Sequence, residues 1–118
     1  MKPCIGIISY LPDNDLREFR YKNCQELIQQ CDEIFNIPII IICQNYKGLK
    51  LKSKNLIRYD YDKLGIVQAR KTLRDKFLNS KFDYIILNDD DVTITGTRLE
   101  GKDYVMKDGD VVNFRFNV

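Results

Sequence analysis

The sequence predicts an α/β fold in which a mostly parallel, Rossmann-like sheet is flanked by helices. Short apolar runs alternate with longer amphipathic stretches along residues 4–88, and this alternation is typical of βαβ units. The chain of 118 residues, 44% of them hydrophobic, is long enough to build one domain around a core. We therefore expect a single α/β domain followed by a short tail.

Four apolar runs are predicted to be strands, and turn signals such as Pro12 end them. They occupy residues 4–10, 38–43, 56–60 and 82–87. The second run is apolar on both faces, as expected for a strand covered by helices on both sides of a parallel sheet.

Two helices are predicted between these strands, at residues 16–31 and 65–78, because apolar residues recur there at helical spacing. Residues 13–15 supply capping candidates for the first helix. The predicted apolar stripes are Cys24, Leu27, Ile28, Cys31 and Ile34 in the first helix, and Ile66, Ala69, Leu73 and Phe77 in the second.

Composition excludes several classes of function. The chain contains no histidine, so Ser-His-Asp and Cys-His mechanisms are excluded. Its four cysteines form no CxxC pair, which predicts reduced core thiols rather than a zinc site. The net charge of +2, with acids and bases interspersed, argues neither for nor against a polyanionic partner. No basic run resembles a nucleic-acid-binding stripe, so no nucleic-acid partner is expected. No signal peptide or membrane-length apolar run is visible, so a cytoplasmic protein without a transmembrane segment is predicted.

Three successive aspartates, Asp89, Asp90 and Asp91, directly follow the fourth predicted strand. The carboxyl ends of parallel strands meet at one edge of a sheet, where ligands bind, so Tyr10 and Asn45 are expected at the same edge. Adjacent carboxylates repel one another unless a cation lies between them. Mg²⁺ and Mn²⁺ prefer such oxygen ligands, commonly together with substrate phosphates. A metal-bound diphosphate is therefore one interpretation, and a solvated acidic turn is the other.

A second motif also fits these aspartates. The run from Leu87 to Thr93 matches the signature of haloacid-dehalogenase-like phosphatases, in which the first aspartate is a nucleophile. That family carries this motif on its first strand, with further motifs well downstream. Too little chain follows Asp91 here to hold them, so the phosphatase is the weaker interpretation.

Residues 4–96 resemble the nucleotide-sugar-binding part of GT-A-fold, family-2-like glycosyltransferases. Three segments carry the resemblance, in the family's order and spacing. They are Ile7-Ile8-Ser9-Tyr10, Gly65-Ile66-Val67-Gln68-Ala69-Arg70-Lys71, and Tyr84-Ile85-Ile86-Leu87-Asn88-Asp89-Asp90-Asp91. The last of these resembles the strand that carries the family's DxD motif.

The resemblance implies a metal-dependent glycosyltransferase that takes a nucleotide-diphosphosugar donor and an unidentified sugar or glycan acceptor. It implies that Asp89 and Asp91 contact the ribose and a Mn²⁺ or Mg²⁺ ion, with Asp90 helping. Tyr10 would lie near the nucleotide base.

The same resemblance places Gly65 and Arg70 at the border of the base or diphosphate pocket. Many members carry Asp-Asp-Gly-Ser after the second strand, where this chain has Cys43-Gln44-Asn45-Tyr46. Asn45 is the residue left there to read a base edge. No catalytic residue is assigned.

Residues 98–118 are predicted to be a separate tail that forms a β-hairpin around Gly109, with residues 1–97 as the nucleotide-sugar-binding domain. The tail resembles the end of the TGS domain of YchF-type Obg-like ATPases, down to the terminal Phe-Asn-Val. It would replace the acceptor half, as in a gene fusion. The hairpin would pair with the sheet edge or with its copy in a homodimer. A catalytically inactive remnant is therefore the main alternative to a working transferase.

Overall fold

The computed structural model describes residues 2–90, which form four strands and two helices. The elements are β1 (Pro3–Tyr10), α1 (Arg17–Ile34), β2 (Ile39–Gln44), β3 (Leu56–Tyr61), α2 (Ile66–Leu78) and β4 (Tyr84–Asp89). Each corresponds to a predicted element. The tail predicted at residues 98–118, and its hairpin, lie outside the described residues.

The four strands form one parallel sheet in the order β3-β2-β1-β4. The chain builds outward from β1 to β2 and β3, then returns to the other side of β1 to add β4. β1 pairs with β2 from Ile5 opposite Ile39, and with β4 from Pro3 opposite Tyr84. The predicted α/β class with a parallel, Rossmann-like sheet is confirmed.

The two helices cover opposite faces of this sheet. α1 packs its buried residues, among them Leu27 and Ile28, on the face formed by Ile5, Ile7 and the odd-numbered residues of β2. α2 packs Leu73 and Phe77 on the face formed by Cys4, Ile85 and the even-numbered isoleucines of β2. All six residues of β2 are buried as a result.

Gly6, in the middle of β1, allows α2 to approach the sheet closely. A Cβ atom at this position would lie 2.5 Å from Cδ1 of Ile85 and 3.1 Å from Cδ2 of Leu73. Both neighbours are fully buried, so neither has free space into which to move. The absence of a side chain at Gly6 is therefore part of the packing between β1, β4 and α2.

The ends of the helices differ from the prediction in three details. α1 continues to Ile34, one turn further than predicted, and Ile34 is exposed there rather than part of the core. Leu16, at the N-cap position, makes no side-chain capping bond, and its N–H instead donates to Oδ1 of Asn14 (2.8 Å). Ile66 was predicted in the apolar stripe of α2 but is exposed, because the first turn of α2 lies beyond the packed surface that begins at Ala69.

At the amino edge of the sheet, Asp32 of α1 fixes the connection between β2 and β3. Its buried carboxylate accepts a hydrogen bond from Ser53 Oγ (3.0 Å) and one from the Lys54 N–H (3.0 Å). Nearby, Gln25 accepts a hydrogen bond from the Lys52 N–H (2.8 Å) at an exposed position. These bonds hold the long polar connection against α1.

The four cysteines, Cys4, Cys24, Cys31 and Cys43, are buried free thiols, as predicted. Cys24 and Cys31 lie on the buried face of α1. Within residues 2–90, neither helix is long and apolar enough to cross a membrane.

Candidate site at the carboxyl edge of the sheet

The strand order creates one position at which a ligand is expected. β1 is followed in space by β2 on one side and by β4 on the other, so the direction of chain progression reverses between β1 and β4. In open parallel sheets, ligands bind at the carboxyl ends of the strands next to such a reversal. Tyr10 ends β1, and Asp89 ends β4, so both flank this position.

Two of the three aspartates, Asp89 and Asp90, are therefore at the predicted edge. Asp89 is the last residue of β4, and Asp90 follows it in a turn. Asp91 lies outside the described residues. Within residues 2–90, no group of three or more potential ligands is arranged around a metal position. The cation predicted for Asp89, Asp90 and Asp91 stays a prediction, because two of the three side chains lie beyond what the structure describes.

The carboxylate of Asp90 is buried, and it contacts the protein itself. Its Oδ2 accepts a hydrogen bond from Ser9 Oγ at 2.9 Å. A guanidinium nitrogen of Arg20 on α1 lies 3.2 Å from Oδ1 and 3.4 Å from Oδ2. Ser9 Oγ also lies 2.6 Å from the hydroxyl of Tyr46, which follows β2. We refer to Arg20, Asp90, Ser9 and Tyr46 as the Asp90 network.

Sequence reasoning missed this network. Ser9 and Asp90 are separated by 81 positions, and Arg20 and Asp90 by 70. No local pattern connects residues that far apart. Only the pairing of β4 with β1 could have indicated these contacts. Because β4 is a parallel neighbour of β1 and ends at residue 89, residue 90 lies close to the end of β1.

Tyr10 is half-buried at the end of β1, opposite Gln44 of β2. The ammonium group of Lys63 lies 5.4 Å from the centre of its ring, within the range of a cation–π contact. The ring is thus at the edge at which a base was expected, beside a cation from the loop before α2.

Asn45 is in the left-handed conformation (φ 62°), which asparagine tolerates better than most residues. Its side-chain amide donates to the carbonyl of Leu11 (2.7 Å) and to a carboxylate oxygen of Asp13 (3.2 Å). Lys47 also pairs with Asp13, at 3.1 Å. Asn45 therefore fastens the loop after β1 to the end of β2, and these bonds occupy its donor group. Its predicted role in reading a base stays untested.

Gly65 is the N-cap residue of α2, with φ 81° and ψ 163°. Only glycine adopts this region readily, and open space surrounds the position of a Cβ, so backbone conformation explains the residue. Arg70 is exposed on α2, one residue after the buried Ala69. Both lie on the part of α2 that starts at the carboxyl edge, where the helix N-terminus favours anions.

Gln44, at the end of β2, fixes the loop that leads to Gly65, a role that no sequence motif indicates. It is buried, and its amide oxygen accepts a hydrogen bond from the Leu64 N–H at 2.9 Å. The loop that precedes α2 is thereby held against the sheet.

We expect Gln44→Met to lower the free energy of unfolding by about 1–3 kcal/mol, because it leaves the Leu64 N–H without its acceptor. Gln25→Met is the matched control. Gln25 also accepts a backbone N–H bond through its side-chain oxygen, but at an exposed position where water can replace it. Urea unfolding followed by circular dichroism compares the two. Equal losses would show that Gln44 has no special role in holding the loop.

An open cavity of about 350 Å³ lies at the carboxyl ends of β2 and β3, away from the aspartates but on the same edge. Its lining consists of Asn45, Lys47, Gly48, Arg58, Asp60, Tyr61 and Asp62. Arg58 and Asp60 form a two-point ion pair with distances of 2.8 and 2.9 Å. The aspartates and the cavity are thus two polar positions along one edge of the sheet.

Comparison with known proteins shows a partial similarity to one group. Two curated proteins named ribosome-binding ATPase YchF match over 68 residues, one from Haemophilus ducreyi with 38% identity and one from Pasteurella multocida with 40%. The match covers 57% of this chain but only 17% of each relative. It supports the resemblance of the tail to YchF-type proteins. Because the matched stretch is longer than residues 98–118, it also includes residues ahead of them.

None of the protein family models matches the sequence, and no solved structure matches it. Neither of the two named relatives is a glycosyltransferase. The resemblance to that class therefore stays a prediction.

Proposed function

We propose that this chain binds a nucleotide-diphosphosugar at the carboxyl edge of its sheet, with a divalent cation, as the donor-binding part of a glycosyltransferase. The observation that carries the proposal is the position of the aspartates. Asp89 ends β4 and Asp90 follows it, next to the reversal of strand order, where parallel α/β sheets bind their ligands. A solvated acidic turn without a ligand could lie anywhere on the surface, so its position at this edge favours ligand binding.

The residues at this position fit Mn²⁺ or Mg²⁺. Carboxylate oxygens are the ligands that these cations prefer. The carboxylate of Asp90 already contacts Arg20 and Ser9, so the proposal assigns the cation to Asp89 and Asp91. A cation bound there would neutralise the diphosphate that leaves when the sugar is transferred.

The rest of the edge supplies positions for the other parts of the donor. The cavity at the ends of β2 and β3 is proposed to hold the nucleoside, with polar groups of Asp60 and Asn45 in its wall. The N-terminus of α2, with Gly65 at its cap, and the exposed Arg70 are proposed to face the diphosphate. Tyr10 lies at the end of β1, with its ring beside Lys63 of the loop that leads to α2.

Calorimetric titration with UDP and with GDP, each with and without Mn²⁺, tests the proposal. We expect binding of at least one nucleotide that requires Mn²⁺ and falls below detection in Asp89→Asn and Asp91→Asn. Asp83→Asn is the matched control, since it removes the same charge just before the opposite end of β4, where Asp83 is exposed and accepts a bond from the Lys2 N–H.

Either result is informative. Binding that survives in both site variants would reject the aspartates as the cation site. Silence with both nucleotides, from a protein shown to be folded by circular dichroism, would favour the inactive remnant over the transferase.

A further inference from the structure

We propose that Asp90 is a positioning residue, and that the Asp90 network holds the turn that follows Asp89 at the end of β4. Asp90 itself would not bind the cation. The part of this inference that concerns cation binding rests on the proposed function. The part that concerns the position of the turn depends only on the contacts of Asp90.

The Asp90 carboxylate is buried and lies next to the positive charge of Arg20. Only 8% of its side chain is exposed, and it accepts bonds from Ser9 Oγ and the Arg20 guanidinium. A carboxylate in this setting is already neutralised by a cation that belongs to the protein. A metal ion at the same carboxylate would be repelled by Arg20. The neighbouring aspartates, rather than Asp90, are therefore the better ligands.

The hydrogen bonds of Tyr46, Ser9 and Asp90 all run in one direction, towards the Asp90 carboxylate. A serine hydroxyl has one proton, and Ser9 gives it to Oδ2 of Asp90, since an ionised carboxylate only accepts. The contact between Ser9 and Tyr46 must then be donated by the Tyr46 hydroxyl. Burial raises the pKa of Tyr46 above its ordinary value, so this hydroxyl keeps the proton that it donates. The contacts form one consistent chain from Tyr46 through Ser9 to Asp90.

The partners of Asp90 in the network come from different parts of the fold. Ser9 belongs to β1, Arg20 to α1, and Tyr46 follows β2. Ser9 and Tyr46 are almost completely buried, at 0% and 1% exposure. The turn after β4 is thus tied directly to β1 and α1, and through Ser9 to the loop after β2. Partners of this kind, behind the residues that bind a metal, commonly change its affinity by about ten- to a hundredfold when they are removed.

The test compares Ser9→Ala, Tyr46→Phe and Asp90→Asn with Asp89→Asn and Asp91→Asn. Ser53→Ala is the matched control, because Ser53 also donates its hydroxyl proton to a buried carboxylate, that of Asp32, but at the opposite edge of the sheet. Two quantities are measured in the full chain. One is amide hydrogen exchange across residues 88–91, and the other is the affinity for Mn²⁺, alone and with UDP, from the paramagnetic signal of the free ion.

We expect the three network variants to exchange faster across residues 88–91 and to bind Mn²⁺ about tenfold or more weakly, with unchanged stoichiometry. Asp89→Asn and Asp91→Asn should abolish Mn²⁺ binding with little effect on exchange, and Ser53→Ala should change neither quantity.

Unchanged exchange in Ser9→Ala and Asp90→Asn would overturn the proposal, because the network would then not hold the turn. Faster exchange with unaltered Mn²⁺ affinity would overturn the positioning role. Complete loss of Mn²⁺ binding in Asp90→Asn, with Ser9→Ala unaffected, would identify Asp90 as a ligand and overturn it as well. If the unmodified protein binds no Mn²⁺ but exchange still rises in the variants, the proposed function fails while the network is supported as the element that holds the turn.

Discussion

Replacement of Gly6 by valine is expected to lower the free energy of unfolding by about 3 kcal/mol or more, and Gly6→Ala by about 1–3 kcal/mol. The Cβ atom of either residue would overlap Cδ1 of Ile85 and press on Leu73, both of which are fully buried. Relief would require β1 and α2 to move apart, and the even-numbered face of β2 would lose contacts with them. Urea unfolding of the purified variants measures the loss.

A second substitution shows whether the overlap is the cause. Ile85→Val deletes the Cδ1 atom that lies closest to the position of the new Cβ. Gly6→Ala should therefore cost less in an Ile85→Val background than in the unmodified protein, even though Ile85→Val itself costs about 0.5–1.5 kcal/mol. Strictly additive losses would show that crowding at Ile85 does not explain the glycine.

The second large effect is expected on raising the pH, because several buried groups keep their protons in the folded state. Burial raises the pKa of the Cys4 thiol to about 12, and it also raises the pKa values of Cys24, Cys43 and the Tyr46 hydroxyl. In the unfolded chain, thiols ionise near pH 8.5 and tyrosine near pH 10. Between these values and the folded-state pKa values, the unfolded chain releases protons that the folded protein retains.

The stabilising contribution of these groups is therefore fully present below about pH 8.5 and is lost as the pH rises towards the folded-state pKa values. The window for Cys4 runs from about pH 9 to about pH 12. Each retained proton lowers the free energy of unfolding by about 1.4 kcal/mol per pH unit within its window. All four groups act in the same direction, so we expect the free energy of unfolding to fall steadily as the pH rises above about 9.

Urea unfolding in the presence of a reductant, at intervals from pH 7 to pH 11, gives the slope. Cys4→Ala is the comparison, since it removes one of the groups while the others stay. Its free energy of unfolding should fall less steeply with pH than that of the unmodified protein. Parallel slopes would show that Cys4 ionises in the fold as readily as in the unfolded chain.

The sequence predicted the elements of the fold well because their signals are local. The isoleucine run of β2 can be satisfied only in a strand buried on both faces, and the stripe of Ala69, Leu73 and Phe77 only in a helix. Ile66 shows where this reasoning stops. It continues the stripe by spacing, but whether the sheet extends beneath the first turn of α2 is decided by tertiary structure.

For the candidate site, the sequence predicted the edge but not the contacts. Tyr10 and Asn45 lie at strand ends, as expected, because a strand boundary and a parallel topology are enough to place them. From the sequence, the three aspartates are predicted to act together as one cluster. In the structure, the partners of Asp90 come from α1 and β1, far away in the chain. A local motif cannot distinguish an aspartate that binds a ligand from one that binds the protein.

The central place of β1 in the sheet has a consequence for the order of folding. On one side, β1 pairs with β2, which follows it in the chain after a single helix. On the other side, it pairs with β4, and this pairing joins Pro3 to Tyr84, which is far away in the sequence. Closing a loop of that length is slow compared with forming the nearer pair. During synthesis, β1, α1, β2 and β3 are therefore expected to assemble first, with one edge of β1 open. Until β4 is added, that edge can pair with another chain, and we expect aggregation to be fastest in this interval.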